Sequence, residues 1–243
     1  ADLRGRLDPL RSKPGISLDR WADADVFLKG VTWALDFEAE IDSKTQLKLS
    51  TALRRATARI DALSQGKTPW IERRGSSVRG FVSAIDGSTQ PYGLVIPAGY
   101  DPSKPIRLDV VLHGSRRATG MGELQFMEGF DRGDSPETKL VPKVDYIEVH
   151  PLGRMGENAY RFEGETAVDE AIEAVCRQFK IDRRRIVLRG GSLGGVGTWQ
   201  LGLKRPDRWV ALGPAAGPVD TYVFAGSAFK HFVRLDPLTP WQK

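Results

Sequence analysis

This sequence contains few of the residues that form disulfides or bind metals, and it has no long hydrophobic run. Its 243 residues include a single cysteine, Cys176, so an intrachain disulfide cannot form and neither an oxidising nor a reducing compartment is indicated. The three histidines share no metal-ligand spacing with that cysteine, so we expect no metal site. No apolar run approaches the roughly 18 residues that a membrane-spanning helix needs, so we expect no membrane span.

The charged residues are numerous but mixed in sign. Lys and Arg total 36 against 31 Asp and Glu, a net charge of +5, and they are scattered along the chain. We interpret this weak positive charge as a feature of a soluble protein, with steering of an anionic substrate as the alternative. No nucleic-acid motif accompanies it, so no nucleic-acid partner is expected. No signal peptide is visible, but a start at Ala1 is compatible with a processed, exported protein.

Residues 1–68 are predicted to form an N-terminal arm and a helical extension. The first 18 residues, rich in proline, glycine and charge, are predicted to be extended. Residues 19–63 have helical periodicity, and one apolar stripe repeats at intervals of four and three: Leu49, Leu53, Ala56, Ile60 and Leu63. An earlier helix is expected to pair with this one, and Gly66 to end it. We interpret the unit as packing against the main domain; a helical hairpin that binds a partner is the alternative.

Residues 69–243 are predicted to form an α/β domain with a mostly parallel sheet. Short apolar strands alternate with amphipathic helices, which is the pattern of βαβ units. The predicted strands span residues 77–85, 91–96, 106–112, 144–149, 185–188 and 209–212. A capping-box pattern at residues 166–169 predicts the start of a helix whose buried face includes Cys176. That thiol is therefore expected to lie in the core rather than to act as a nucleophile.

The most informative motif is G-x-S-x-G, formed by Gly190, Ser192 and Gly194. A predicted strand comes directly before it and an amphipathic helix directly after it, which is the setting of a nucleophile elbow. Such a turn holds its serine in a strained conformation, and glycines on either side let the strand and the helix approach closely. The backbone N–H of Leu193, at the start of the helix, is then expected to point at a developing oxyanion.

The motif has other interpretations. A glycine-rich turn between a strand and a helix also occurs without chemistry, or as a phosphate-binding loop. A dinucleotide-binding loop fits the spacing of Gly190, Gly195 and Gly197, but the acidic residue expected after a second strand is missing from its place. The nucleophile elbow is therefore the favoured interpretation.

A second segment agrees with an elbow at Ser192. The strand at residues 106–112 is followed by His113, Gly114 and Ser115. In α/β-hydrolases the loop after the third strand supplies the other N–H of the oxyanion hole, so the donor here is expected to be Gly114 or Ser115. His113 is predicted to brace this loop rather than to act as the catalytic base. His150, at the end of another predicted strand, is interpreted in the same way or as a pocket-lining residue.

Several segments together resemble one group of esterases. They are Pro91–Pro97, Leu112–Gly114, Gly164-Glu165, Ile181-Asp182, Gly190–Gly195, Pro206-Asp207 and Gly213-Pro214. Over roughly residues 77–220 the chain resembles the branch of the α/β-hydrolases that contains polyhydroxybutyrate depolymerases, feruloyl esterases and prolyl-oligopeptidase-like enzymes. The resemblance implies that Ser192 is the nucleophile, that Leu193 with Gly114 or Ser115 forms the oxyanion hole, and that no cofactor takes part.

The sequence departs from this family after Ser192. The family places an acidic residue and then a histidine behind the serine, each after a later strand. Here the only later histidine is His231, and Asp220, which follows the sixth predicted strand, is the best of the later acids. Because the chain stops shortly after that strand, we expect an α/β-hydrolase fold that is incomplete at its C-terminus. Truncation, a second polypeptide that completes the sheet, or a natural fragment that has lost catalysis would each explain this.

The sequence thus predicts a serine hydrolase that cleaves a carboxylic ester through an acyl-enzyme on Ser192. The expected substrate is a small or polymeric ester. A serine peptidase uses the same elbow and is the nearest alternative. A protein of the same fold that binds partners without catalysis is the alternative from another class, since a fold does not by itself fix a function.

Overall fold

The structure, a computed structural model, describes residues 2–116, 119–134, 141–155 and 158–219. Its helices are α1 (Leu3–Leu7), α2 (Leu18–Phe37), α3 (Ser43–Ser64), α4 (Gly122–Glu128), α5 (Glu163–Gln178) and α6 (Leu193–Lys204), with short 3₁₀ turns at Asp8–Ser12 and Pro206–Arg208. Its strands are β1 (Gly75–Val82), β2 (Thr89–Ile96), β3 (Ile106–Leu112), β4 (Tyr146–Pro151), β5 (Ile181–Gly191) and β6 (Ala211–Ala215).

The six described strands form one mixed sheet in the order β1-β2-β4-β3-β5-β6. β1 pairs antiparallel with β2, and β2 pairs antiparallel with β4. The pairs β4–β3, β3–β5 and β5–β6 are parallel, with Leu112 opposite Gly190 and Gly191 opposite Ala215. Because parallel strands end at the same edge, the loops that leave β3, β4, β5 and β6 lie side by side there.

One face of the sheet packs against α5 and α6. Alternate residues of β3 (Leu108, Val110 and Leu112) are buried on this face, as the two-residue period of a strand dictates. They form one hydrophobic cluster with the apolar stripe of α5, which includes Val168, Ile172 and Val175. This cluster packs beneath the end of the sheet where β5 leads into the turn at Ser192.

The N-terminal helices pack on the other face, against β1 and β2. A second hydrophobic cluster joins α1, α2, α3 and α4 to β1 through Val78. α2 lies so close to β1 that a Cβ on Gly80 would come 2.6 Å from the carbonyl oxygen of Ala22, so only glycine fits there. The predicted division of the chain between residues 68 and 69 stays a prediction; in the structure the helices on one side of it share a core with the sheet on the other.

Two local predictions were wrong. The first residues are not an extended arm, because α1 begins after an Asp2 side chain that accepts a hydrogen bond from Gly5 N. Leu7 is fully buried, and its carbonyl oxygen accepts a hydrogen bond from Trp21 Nε1. Tertiary burial thus outweighs the proline and glycine content. α5 begins at Glu163 rather than at the predicted capping box. The Thr166 hydroxyl bonds to the carbonyl oxygen of Phe162 four residues earlier, which places Thr166 inside the helix.

Candidate active site

Ser192 lies on a sharp turn between the end of β5 and the start of α6. Its backbone has φ 55° and ψ −120°, a strained conformation for a residue with a side chain. Its N–H donates to the carbonyl oxygen of Ala215 at 2.9 Å, and its carbonyl oxygen accepts from Val196 N at 3.1 Å. The residue is exposed. The turn is therefore fixed on both sides while the serine hydroxyl is presented at the surface.

The glycines two residues on either side of Ser192 are required by close backbone contacts. A Cβ on Gly190 would come 2.5 Å from the carbonyl oxygen of Gly194, and a Cβ on Gly194 would collide with the carbonyl oxygen of Leu112. Real Cβ atoms do not approach backbone atoms so closely. By contrast, a Cβ on Gly191 would meet nothing within 4 Å. The two glycines of the motif therefore let α6 start directly against the ends of β5 and β3.

The start of α6 places unpaired backbone N–H groups beside the serine. The first four N–H groups of an α-helix have no partner within the helix, and the helix dipole makes this end partly positive. Leu193 is the first residue of α6 and follows Ser192 directly. An anionic oxygen next to Ser192 would therefore meet a favourable electrostatic environment from the helix.

The loop that leaves β3 reaches the serine from the neighbouring strand. A Cβ on Gly114 would lie 3.5 Å from Ser192 Cβ and 3.4 Å from the carbonyl oxygen of Gly191, which is van der Waals contact. Ser115, the next residue, is exposed. The structure therefore places Gly114 in contact with Ser192, and Leu193 and Ser115 follow these two residues in the chain. That the four residues form one catalytic site stays a prediction.

The His113 ring is engaged with this loop and its neighbour. Its Nδ1 lies 2.7 Å from the carbonyl oxygen of Gly114, and its Nε2 lies 2.9 Å from the carbonyl oxygen of Leu152. The ring also packs against Phe126 and Tyr160, with centroids 5.8 and 5.6 Å away. Both nitrogens thus face backbone carbonyls, an arrangement that suits a loop brace better than a base for Ser192.

His150 belongs to a different group of side chains. Its Nε2 lies 3.0 Å from Glu148 Oε2, and its ring packs against Phe130 in a tilted arrangement with the ring centroids 4.8 Å apart. Glu148 in turn accepts from Arg189 Nη2 at 2.5 Å. The hydrogen bond from His150 lowers the pKa of the Glu148 carboxyl, and the Arg189 charge adds to this. Because β4 and β5 are separated by β3, about two strand spacings (~9.5 Å) lie between these strands, so His150 is not placed to accept a proton from Ser192.

The other two candidates, Asp220 and His231, lie outside the described residues. The last described strand, β6, ends at Ala215. The carbonyl oxygen of Ala215 accepts a hydrogen bond from Ser192 N. Gly217, just beyond it, accepts from Trp199 Nε1 on α6 at 3.2 Å. The chain that leads toward Asp220 therefore starts in contact with the helix that follows the serine.

Sequence reasoning missed the loop between β4 and α5. Its residues Arg154, Met155, Ala159, Tyr160 and Phe162 all have positive φ although none is glycine. Tyr160 is fully buried, and its hydroxyl donates to the carbonyl oxygen of His113 at 2.8 Å. No motif or periodicity marks these positions, because positive φ is normally signalled by glycine and here tertiary contacts impose it.

Cys176 and metal-binding side chains do not add to the site. Cys176 lies on α5 and is half-buried, and its burial raises the pKa of the thiol, which makes a nucleophilic thiolate unfavourable. Within the described ranges, no three His, Cys, Asp or Glu side chains cluster in a way that could hold a metal ion. In the same part of the chain, no helix combines the length and the apolar character needed to cross a bilayer.

A cavity of about 340 Å³ lies away from Ser192, among the helices α2, α3 and α4. Its walls include Phe27, Leu47 and Met127, with Lys44 and Glu128 at its polar side. It opens beside the N-terminal helices and shares no lining residue with the serine turn.

A search of protein-family models found no match. Among solved structures, the chain is similar to a thermostable esterase, with 21% identity and a TM-score of 0.39, covering 56% of this chain and 40% of that one. It is also similar to the S-formylglutathione hydrolase of Staphylococcus aureus, with 16% identity and a TM-score of 0.46, covering 70% and 67% of the two chains. A prolyl endopeptidase is similar at 19% identity and a TM-score of 0.44, covering 65% of this chain and 23% of the enzyme. These similarities are too distant to assign a reaction.

Proposed function

We propose that this chain, which has the α/β-hydrolase fold, is a serine hydrolase that cleaves a carboxylic ester through an acyl-enzyme on Ser192. The predicted fold class is confirmed: the sheet runs β1-β2-β4-β3-β5-β6 with an antiparallel start and is flanked by helices. The observation that carries the functional proposal is the strained backbone of Ser192, φ 55° and ψ −120°, at the junction of β5 and α6.

The proposed oxyanion hole consists of backbone N–H groups on two sides of Ser192. Leu193 supplies one from the first turn of α6, and Gly114 or Ser115 supplies the other from the loop after β3. Gly114 lies close to Ser192, since a Cβ on the glycine would be 3.5 Å from Ser192 Cβ, and this closeness supports the placement. Removing one such donor in serine hydrolases typically reduces kcat by about 10²–10³.

The proposed reaction follows the acyl-transfer scheme of this geometry. Ser192 Oγ attacks the ester carbonyl carbon while its proton passes to a histidine, and the carbonyl oxygen becomes an oxyanion held by the N–H groups. The intermediate collapses, the alcohol leaves with the proton from the histidine, and Ser192 stays acylated. Water then attacks the acyl-enzyme through the same histidine and releases the carboxylic acid. No metal or organic cofactor enters this scheme.

We assign His231 as the general base, with Asp220 as the acid that orients it. The sequence has three histidines, and the ring nitrogens of His113 and His150 already face Gly114, Leu152 and Glu148. His231 and Asp220 stand in the order that an α/β-hydrolase uses, behind the serine. Both lie outside the described residues, and chain order supports them as the candidates within the given sequence. A base supplied by a longer form of this chain or by a second polypeptide is the competing proposal.

Hydrolysis of p-nitrophenyl acetate and of a peptide p-nitroanilide tests the reaction class. We expect ester cleavage by the chain, with kcat reduced about 10⁴-fold or more in Ser192→Ala. Ser103→Ala, which changes another exposed serine on a distant turn, serves as the matched control and should keep wild-type activity. Cleavage of the anilide alone would favour the peptidase. Ester turnover that survives in Ser192→Ala would overturn the proposal.

The assignment of the base is tested separately. His231→Ala should lose most of the ester turnover, whereas His150→Ala, which removes a histidine bound to Glu148, should retain it. Full activity in His231→Ala would reject His231 while leaving Ser192 as the nucleophile. An inactive wild-type chain that gains activity on addition of a second polypeptide would favour a base supplied by that polypeptide.

A further inference from the structure

Tyr160 links two parts of the candidate site that come from different strands. It lies on the loop between β4 and α5 and is fully buried. Its hydroxyl donates to the carbonyl oxygen of His113 at 2.8 Å. Its ring packs edge-on against the His113 imidazole at 5.6 Å. One side chain of the β4–α5 loop therefore contacts both the backbone and the ring of the residue that precedes Gly114.

The hydrogen bond from Tyr160 to the His113 carbonyl oxygen also fixes the orientation of the Gly114 N–H. The carbonyl of His113 and the N–H of Gly114 belong to the same peptide unit, which is planar and trans, so the two groups point in opposite directions. Holding the oxygen on the Tyr160 side therefore holds the Gly114 N–H on the other side. The next peptide unit lies against the His113 ring, whose Nδ1 is 2.7 Å from the carbonyl oxygen of Gly114.

Tyr160 also packs against the helix that carries the serine turn. A Cβ on Gly197, in the second turn of α6, would come 2.5 Å from Tyr160 Cδ2. The absence of a side chain at Gly197 thus lets the phenol ring rest on the helix backbone. The same ring therefore sets the distance between α6, which begins next to Ser192, and the loop that contains Gly114.

The placement of Tyr160 is costly and is held by its surroundings. Its φ of 60° lies in the left-handed region, which is unfavourable for a residue with a side chain. The start of the loop is anchored by Arg154, whose Nη1 and Nη2 donate to Asp86 at 2.8 and 3.2 Å. Tyr160 is thus a strained, buried residue, and its hydroxyl bonds to the backbone of the loop that contains Gly114. This combination indicates that Tyr160 positions that loop.

We propose that Tyr160 is a positioning residue that aims the Gly114 N–H at the oxyanion formed on Ser192. This inference rests on the proposed function, and it narrows the second donor there, Gly114 or Ser115, to the Gly114 N–H. It predicts that the phenol hydroxyl contributes to kcat and not to substrate binding, because the oxyanion exists only after attack. The ring, in contrast, contributes to packing between α6 and the loop.

Tyr160→Phe separates the two contributions, since it keeps the ring and removes the hydroxyl. We expect kcat for p-nitrophenyl acetate to fall about 10-fold or more, with KM unchanged, since a misaimed donor loses part of its effect. The affinity for a boronic acid that mimics the tetrahedral intermediate should fall by a similar factor. Tyr92→Phe is the matched control, because Tyr92 is also fully buried in the same hydrophobic cluster but lies on β2, away from Ser192.

Two further measurements test the positioning role of Tyr160. Replacement of Tyr160 by 4-aminophenylalanine restores a hydrogen-bond donor at the same place and should recover kcat. This comparison is informative even where the Tyr160→Phe protein folds poorly. Hydrogen exchange of the Gly114 amide should be faster in Tyr160→Phe than in Tyr92→Phe, whether or not the protein turns over esters. Wild-type kcat and unchanged exchange in Tyr160→Phe would overturn the positioning role. Faster Gly114 exchange in Tyr160→Phe, together with a wild type that stays inactive in its longer form and with a second polypeptide, would instead reject the proposed reaction and retain the structural link.

Discussion

Asp23 on α2 and Arg79 on β1 form an ion pair with both side chains fully buried. Arg79 Nε lies 3.0 and 2.9 Å from the two carboxylate oxygens of Asp23. Asp23 also accepts from Trp70 Nε1 and from the backbone N–H of Gly80, each at 2.8 Å. Three donors thus compensate the cost of burying this carboxylate. The N-terminal helices are thereby joined to the sheet through hydrogen bonds as well as apolar contacts.

Asp23→Ala is expected to destabilise the chain by roughly 3–5 kcal/mol, because it leaves the Arg79 guanidinium buried without its counter-charge. Urea unfolding followed by circular dichroism measures the change. The matched control is Glu173→Gln, which breaks the exposed ion pair with Arg183 and should cost at most about 1 kcal/mol. A loss in Asp23→Ala no larger than in the control would mean that this buried ion pair contributes little to the stability of the fold.

Gly194→Ala is expected to abolish reaction at Ser192, since the added Cβ collides with the carbonyl oxygen of Leu112. The strand and helix must then separate, which moves the serine and the Leu193 N–H. Gly191→Ala adds the same methyl group three residues away, where nothing lies within 4 Å, and should retain activity. Ester turnover and circular dichroism of both variants test this. Equal activity in both would show that the close approach at Gly194 is not needed.

Glu148 is expected to make part of the stability dependent on pH. The His150 hydrogen bond, with the Arg189 charge, lowers its pKa in the folded state. The carboxylate therefore contributes stability above its unfolded pKa of about 4.3, and that contribution is lost as the pH falls through the lower folded value. Urea midpoints between pH 7 and pH 3 for wild type and Glu148→Gln measure it. The difference between them should shrink below about pH 4.3; a constant difference would contradict the interpretation.

The β4–α5 loop is expected to open when its anchor is removed. The Arg154 guanidinium holds the Asp86 carboxylate, and its hydrogen bond keeps the pKa of that carboxyl far below its usual range. Asp86→Ala should therefore expose the peptide bonds after Arg154 and Arg161 to trypsin, and limited proteolysis with mass spectrometry would detect faster cleavage there. Asp101→Ala, which changes a comparable turn aspartate on a distant loop, should leave that rate unchanged.

The serine turn could be predicted from the sequence because its requirements are local. A strand, two glycines around Ser192 and a following helix each leave a mark in adjacent residues, and the structure places them as a strand, a strained turn and a helix. The predicted amphipathic pattern of that helix was wrong, because its buried side is mostly glycine and Leu203 is exposed. The sheet could be predicted for a similar reason, since buried alternation on β3 and an apolar stripe on α5 are visible in the residue order. The predicted N-cap of α5, Thr166, was wrong by four residues, because the turn at the observed N-cap, Phe162, has no sequence signal.

The second half of the site could not be predicted in the same way. Tyr160 adopts a positive φ without glycine, and its role depends on His113 and Gly197, which are 47 and 37 residues away in the chain. Such a contact follows from the order of strands in the sheet and not from neighbouring residues. The general base could not be predicted from a motif. His231 is the candidate because it follows Ser192 in the chain and because the rings of His113 and His150 contact other groups.

Labelling of the chain with a fluorophosphonate, read by intact mass and peptide mapping, tests the central claim most directly. The account predicts a single adduct on Ser192 that is absent from Ser192→Ala, present in Ser103→Ala and strongly slowed in His231→Ala. An adduct on Ser192 that forms as fast in His231→Ala would keep the nucleophile and reject the assigned base. An adduct that forms only on a longer product of the same gene or with a second polypeptide would place the base outside this chain. No adduct on either form, or an adduct on another serine, would contradict the account and favour a binding protein on this fold.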